Sequence, residues 1–165
     1  DGLDFQEMWD YRAEKGNLLD FPGSKAISMD EFWACQVHIV VPAALENAID
    51  ENVAEKIQAK LVCEAANGPT TPEGDEVLNR RGIVLTPDIL TNAGGVTVSY
   101  FEWVQNLYGY YWTEEEVAEK EEIAMVQAFE ALWAIKEEFN VTLRESAYMN
   151  SVKKVAKAMK LRGWY

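Results

Sequence analysis

Several things are scarce in this 165-residue chain, and each scarcity excludes something. Histidine occurs once, as His38, and cysteine twice, as Cys35 and Cys63, with no C-x-x-C spacing. Two thiols and one imidazole do not make a zinc site, and no second histidine is present to activate a nucleophile. No metal site is expected, and the thiols are expected to be reduced, small and buried. Cations are few: 15 Lys and Arg stand against 28 Asp and Glu, a net charge of −13. That balance argues against nucleic acid, which needs clustered Lys and Arg, and against an anionic membrane surface. No apolar run approaches the ~18 residues of a membrane span. The acidic opening DGLDFQEMWD is not a signal peptide, so a soluble, cytoplasmic protein is expected. Neither a G-x-G-x-x-G turn nor a P-loop is present.

What is present is a core-forming composition, 48% hydrophobic and 12% aromatic, enough for one domain. Helix starts are clearly marked. Asp4, Ser28, Asp50, Thr71, Thr113 and Thr142 each stand at an N-cap position. Pro72 at a first helical position and Gly16 and Gly82 near helix ends add the expected asymmetry. Between these signals lie three short apolar runs, Val37–Val41, Lys60–Ala65 and Ile83–Thr86. The first is continuously apolar and reads as a strand buried on both faces, with His38 in the core. Strand, helix, strand, helix, strand with short crossovers requires parallel pairing. The fold class is therefore α/β, a partial Rossmann-like parallel sheet with flanking helices. The expected organisation is one domain, its sheet-bearing part over about 1–95 and a helical segment over about 96–165. In that segment Val117, Ala124, Met125, Ala128, Phe129, Leu132, Trp133 and Ile135 form one apolar stripe, read as core packing. Ala147, Ser151, Val152, Val155 and Met159 form another helical face, and the lysines beyond it form a solvated end.

Ligands of open parallel sheets bind beyond the carboxyl ends of the strands. The three tips here are Val41-Pro42-Ala43-Ala44, Glu64-Ala65-Ala66-Asn67-Gly68 and Thr86-Pro87-Asp88 running on to Asn92-Ala93-Gly94-Gly95. They offer small residues, which let a flat ligand approach, and the carboxamides of Asn67 and Asn92, which both donate and accept. Such residues also make ordinary turns at strand ends. Gly94-Gly95 begins a helix, whose free N–H groups offer a seat for a carboxylate or phosphate, with Thr97 and Ser99 adding hydroxyls. The pair equally allows close helix packing. No acid and base are placed together for catalysis, so no catalytic residue is assigned.

The stretches "VPAALENAI", "EAANGPTTPEGDEVLNRRGI" and "PDILTNAGGVTVSYFEWVQNLYGYYWTEEEV" resemble the nucleotide-binding domain of hexameric glutamate dehydrogenases, within the wider Glu/Leu/Phe/Val dehydrogenase family. The likeness runs to "AMKLRGWY", and the aromatic "YFEWVQNLYGYYW" favours the glutamate branch. The resemblance implies interconversion of L-glutamate with 2-oxoglutarate and ammonia, with NAD or NADP as cofactor, in a homo-oligomer that is hexameric in the family. It implies that Ala43 and Ala44 line the cofactor pocket. Asn67 is matched to the nicotinamide ribose and Asn92 to the nicotinamide carboxamide. Val96 and Ser99 are matched to the substrate, the serine to its side-chain carboxylate. The family's substrate domain, with its catalytic lysine and aspartate, and its Gly-rich pyrophosphate turn have no counterpart in these residues. The expectation is therefore a portion of such an enzyme, inactive by itself. The alternative is a non-enzymatic module that oligomerises or binds a partner.

Overall fold

The computed structural model describes residues 2–164; Asp1 and Tyr165, the outermost residues of the first and last quoted stretches, lie outside them. Three parallel strands form the sheet: β1 (Ile39–Val40), β2 (Leu61–Cys63) and β3 (Val84–Thr86), in the order β1-β2-β3. Ile39 pairs with Leu61, and Val62 pairs with Leu85, so the apolar residues of neighbouring strands stand in register. The eight helices among the described residues are α1 (Phe5–Lys15), α2 (Met29–Trp33), α3 (Glu51–Lys56), α4 (Pro72–Arg80), α5 (Asp88–Thr91), α6 (Ala93–Tyr108), α7 (Glu114–Phe139) and α8 (Leu143–Leu161).

Local chemistry sets where these helices begin. Asp4, Ser28, Asp50, Thr71, Thr113 and Thr142 each accept a backbone N–H of the first turn through the side chain, and three of them complete reciprocal capping boxes. Gly16 ends α1 in the left-handed conformation, at φ 77°, where a Cβ would be disfavoured. The segment after Asp50 is helical only to Lys56; Ile57, fully buried, turns into extended backbone and leads the chain to β2.

The main core lies where α3 and α4 pack against the sheet, with Ile49, Ile57, Val62, Val77 and Leu78 almost wholly buried. A smaller cluster of Leu90, Leu132, Leu143 and Ala147 joins α5, α7 and α8. At about 25 cal/mol per Å² of apolar surface removed from water, this burial is the main favourable term for the sheet and its helices.

The structure corrects four sequence expectations. The run Val37–Val41 is not buried on both faces: only Ile39–Val40 is strand, and Val37, Ile39 and Val41 are exposed. It is the edge of the sheet, paired on one side only, so burial follows from neighbours the run itself does not encode. His38 is accordingly exposed rather than in the core, and contributes its backbone carbonyl as an acceptor for Lys60 N–H at 3.0 Å. Cys35 is exposed and Cys63 half-buried, so neither is the fully buried thiol expected. The helical stripes are also only partly core. Of the α7 stripe, Leu132 is buried while Phe129 and Trp133 remain exposed, and of the α8 face only Ala147 is buried. Among the described residues nothing forms a further layer over their outer sides. No helix among them is long and apolar enough to cross a membrane.

Candidate functional site

The site grows from the carboxyl tips of β2 and β3. At the end of β2 the chain places Glu64, a carboxylate with no solvent exposure. A buried charge must be paired and hydrogen-bonded. Arg144, in the first turn of α8, donates from Nη2 to Glu64 Oε1 at 2.8 Å and from Nε to Asp75 Oδ2 on α4 at 2.6 Å. Its Nη1 stands 3.6 Å from Asp88 Oδ1. Burial by itself would lower the pKa of Arg144, but hydrogen bonds and charge from Glu64 and Asp75 outweigh it, holding the guanidinium above its ordinary value.

The other oxygen of Glu64, Oε2, accepts the backbone N–H of Asp88 at 2.8 Å. Asp88 in turn ties two loops together. Its Oδ2 accepts Gly68 N–H at 2.8 Å, and its backbone carbonyl accepts Asn92 N–H at 3.1 Å. Gly68 sits at φ 55°, a left-handed conformation suited to glycine, which lets the tip after β2 turn back towards the sheet.

Beyond this base lie the two carboxamides. Asn92 Nδ2 donates to Ala65 O at 3.3 Å and to Asn67 Oδ1 at 2.8 Å. The orientation of both amides follows from Ala65, whose carbonyl only accepts and so must face Nδ2 of Asn92; that Nδ2 then meets the oxygen of Asn67. Asn92 Oδ1 and Asn67 Nδ2 are left as one acceptor and one donor. Both residues line an open cleft of about 770 Å³, together with Ala43, Ala44, Leu45, Ala66 and Val96, among others.

Five of the six residues singled out in the sequence, Ala43, Ala44, Asn67, Asn92 and Val96, thus line one cleft. Ser99 does not; it lies one turn further along α6, exposed, with its hydroxyl donating to Gly95 O at 3.1 Å. Thr97 likewise donates back to Ala93 O at 2.8 Å. The expected anion seat at Gly94-Gly95 lies at the start of α6, directly after a second helix. Helix α5 runs almost directly into α6 through Asn92, whose φ −98° and ψ 4° are close to helical, and Gly95 N–H already donates to Asn92 O at 3.3 Å. Gly95 N–H is thereby engaged, while among the described residues Ala93 and Gly94 N–H have no backbone acceptor. Gly94 instead lets the Glu121 carboxylate of α7 come close: a Cβ there would meet Glu121 Oε1, whereas a Cβ on Gly95 would meet nothing within 4 Å.

Sequence reasoning missed Glu64, Asp75, Asp88 and Arg144. Two signals point to them. Glu64 is the one charge ending an otherwise apolar strand, "LVCEAANG". Arg144 is a cation in a helix's first turn, where the dipole disfavours it unless carboxylates lie opposite.

A parallel sheet flanked by helices, with its carboxamides gathered at the carboxyl ends of the strands, is a partial Rossmann-like fold of the dehydrogenase type. The chain belongs to the Glutamate/Leucine/Phenylalanine/Valine dehydrogenase family, whose model matches residues 1–163. It is 77% identical, over 164 residues, to the NAD-specific glutamate dehydrogenase of Clostridioides difficile, covering 99% of this chain and 39% of that protein. Among solved structures, the glutamate dehydrogenase of Peptoniphilus asaccharolyticus superposes with a TM-score of 0.82 at 54% identity, covering 99% of this chain and 36% of that one. The hetero-hexameric glutamate dehydrogenase of Thermus thermophilus, in its leucine-bound form, gives a TM-score of 0.88 at 32% identity, covering 99% and 38%. The chain thus spans about 39% of the length of the Clostridioides and Peptoniphilus enzymes it matches.

Proposed function

We propose that this chain supplies the nicotinamide-facing wall of a glutamate dehydrogenase, a cytoplasmic oligomer that interconverts L-glutamate with 2-oxoglutarate and ammonia. The observation that carries the reading is the Asn67–Asn92 pair, 2.8 Å apart, at the mouth of the cleft between the strand tips. An acceptor and a donor standing together match a primary carboxamide and a neighbouring ribose hydroxyl, the two polar groups around a nicotinamide ring. NAD rather than NADP is proposed, because relatives 77% and 60% identical to this chain bear the name NAD-specific.

In this reading Asn92 Oδ1 accepts the carboxamide N–H of the nicotinamide, and Asn67 Nδ2 donates to the ribose. Ala43 and Ala44 keep the cleft floor low enough for a flat ring. When bound, the nicotinamide supplies the hydride acceptor. Val96, 70% exposed at the edge of the cleft, presents an apolar surface that excludes water from the ring. Ser99, one turn along the same helix, orients the amino acid through its side-chain carboxylate after its hydroxyl rotates away from Gly95 O. No residue here is assigned the acid–base work on the amino group.

Titration of the protein with NADH, followed by nucleotide fluorescence, tests this reading. Saturable binding that is weakened in Asn92→Ala supports it. Binding that Asn92→Ala and Asn67→Ala both leave unchanged contradicts it.

A further inference from the structure

The two asparagines come from separate loops, 25 residues apart, and Asn67 and Gly68 are exposed. The backbone beyond them is held by the buried Pro69 and by Asn47 N–H, which donates to Gly68 O at 2.9 Å, but the exposed Asn67 side chain has no apolar cover of its own, so the 2.8 Å pairing depends on polar anchors. Asp88 is an anchor common to both segments: its carboxylate holds Gly68 N–H and its carbonyl holds Asn92 N–H. Asp88 is itself held through its N–H by Glu64, and its carboxylate faces the Arg144 guanidinium.

Three carboxylates, of Glu64, Asp75 and Asp88, therefore converge on one guanidinium, and among the described residues no other cation pairs with any of them. A planar fork can serve three such oxygens at once, whereas an ammonium has no matching geometry. Without the cation the carboxylates repel one another. Glu64 is fixed in the core and Asp75 within α4, while Asp88 belongs to a four-residue helix. The Asp88 backbone is held by the buried Pro87 and Leu90 on either side, so it is the Asp88 carboxylate that yields, and with it the hold on Gly68 N–H.

We propose that Arg144 is a positioning residue: through Glu64 and Asp88, its guanidinium holds the Asn67–Asn92 carboxamide pair in the geometry that receives the nucleotide. This rests on the nucleotide reading above for what the pair binds, but not for the coupling itself. It makes the position of α8 a determinant of a cleft that α8 does not line.

The test is heteronuclear NMR of the 15N-labelled protein, without nucleotide, comparing Arg144→Met, Arg144→Lys and Asp88→Asn with a control, Leu78→Ala, which opens a cavity in the α4 core. In Arg144→Met and Asp88→Asn the Gly68 amide and both asparagine side-chain NH₂ pairs are expected to shift. Exchange of the Gly68 amide is expected to accelerate about tenfold or more. Arg144→Lys is expected to restore part of the native pattern, and Leu78→Ala to leave all three signals in place. Native signals in Arg144→Met overturn the proposal, and so does an equal shift in Leu78→Ala. If Arg144→Met does not fold, the double variant Glu64→Gln with Arg144→Met, which strands no fully buried carboxylate, takes its place with the same expected and overturning results. Because this readout needs no nucleotide, a wild-type protein that binds no NADH contradicts the nucleotide reading only, and the shifts still establish the coupling.

Discussion

Arg144 Nη2 lies 2.8 Å from Glu64 Oε1, and Glu64 is completely buried, so the first turn of the last helix closes a charge at the end of the central strand. Removing one partner of such a pair leaves an uncompensated buried charge, which costs about 3–5 kcal/mol. Arg144→Met is expected to destabilise the fold on that scale in urea unfolding. The double variant Glu64→Gln with Arg144→Met is expected to recover part of that loss, because the fully buried charge is then gone and only the partly exposed Asp75 and Asp88 are left unpaired.

A second expectation concerns Asn92. Asn92→Ala removes the donor to both Ala65 O and Asn67 Oδ1. Stability falls by about 1 kcal/mol, the net worth of an ordinary hydrogen bond. NADH affinity falls about tenfold, equivalent to ~1.4 kcal/mol. Fluorescence titration and chemical unfolding separate the two effects.

Two glycines are expected to respond in opposite directions. A Cβ on Gly74 would stand 2.5 Å from Ile49 O and 3.2 Å from Asp50 O, both backbone atoms of the turn that α4 packs on. Gly74→Ala is expected to destabilise by about 1–3 kcal/mol, as overpacking does. Gly95 has open space around its missing Cβ and lies within helix α6. Gly95→Ala is expected to stabilise by about 0.5–1 kcal/mol, because alanine gives up less backbone freedom in a helix. Thermal unfolding of the two variants checks both signs.

The amino-terminal cap of α2 carries a pH dependence of defined sign. The backbone and side-chain hydrogen bonds of Ser28 hold the Glu31 carboxyl below its ordinary value. A depressed folded-state pKa contributes stability that is present above the unfolded value and is lost as pH falls through the folded one. Protection of the α2 amides, taken relative to the intrinsic exchange rate at each pH, is therefore expected to fall as pH drops below the ordinary glutamate range. Glu31→Gln is expected to remove that dependence while keeping an acceptor for Ser28 N–H.

Much of this architecture was legible in the sequence because it is locally encoded. Six helix starts follow from the single residues Asp4, Ser28, Asp50, Thr71, Thr113 and Thr142, each capping a turn three residues away. The parallel order of the strands follows from their spacing, and the gathering of Ala43, Asn67 and Asn92 follows from that order. Other features depend on partners distant in the chain. Arg144 and Glu64 are 80 residues apart, and nothing local marks them as a pair. Burial of Val37–Val41 depends on what covers the edge of the sheet, which apolarity alone does not say. The glycine pair does stand at a helix start, but that Asn92 brings α5 directly up to α6, and that Glu121 of α7 approaches Gly94, depends on contacts no local pattern marks.

The central claim is that Asn67 and Asn92 form the nicotinamide wall. Its most direct test follows the 15N side-chain signals of both residues while NADH is added to millimolar concentrations. The account predicts that these two signals shift saturably together, while Asn79, which lines the separate cleft between α4 and α8, stays in place. Saturable shifts centred on Asn79, or NADH binding that leaves Asn67 and Asn92 unmoved, would contradict it.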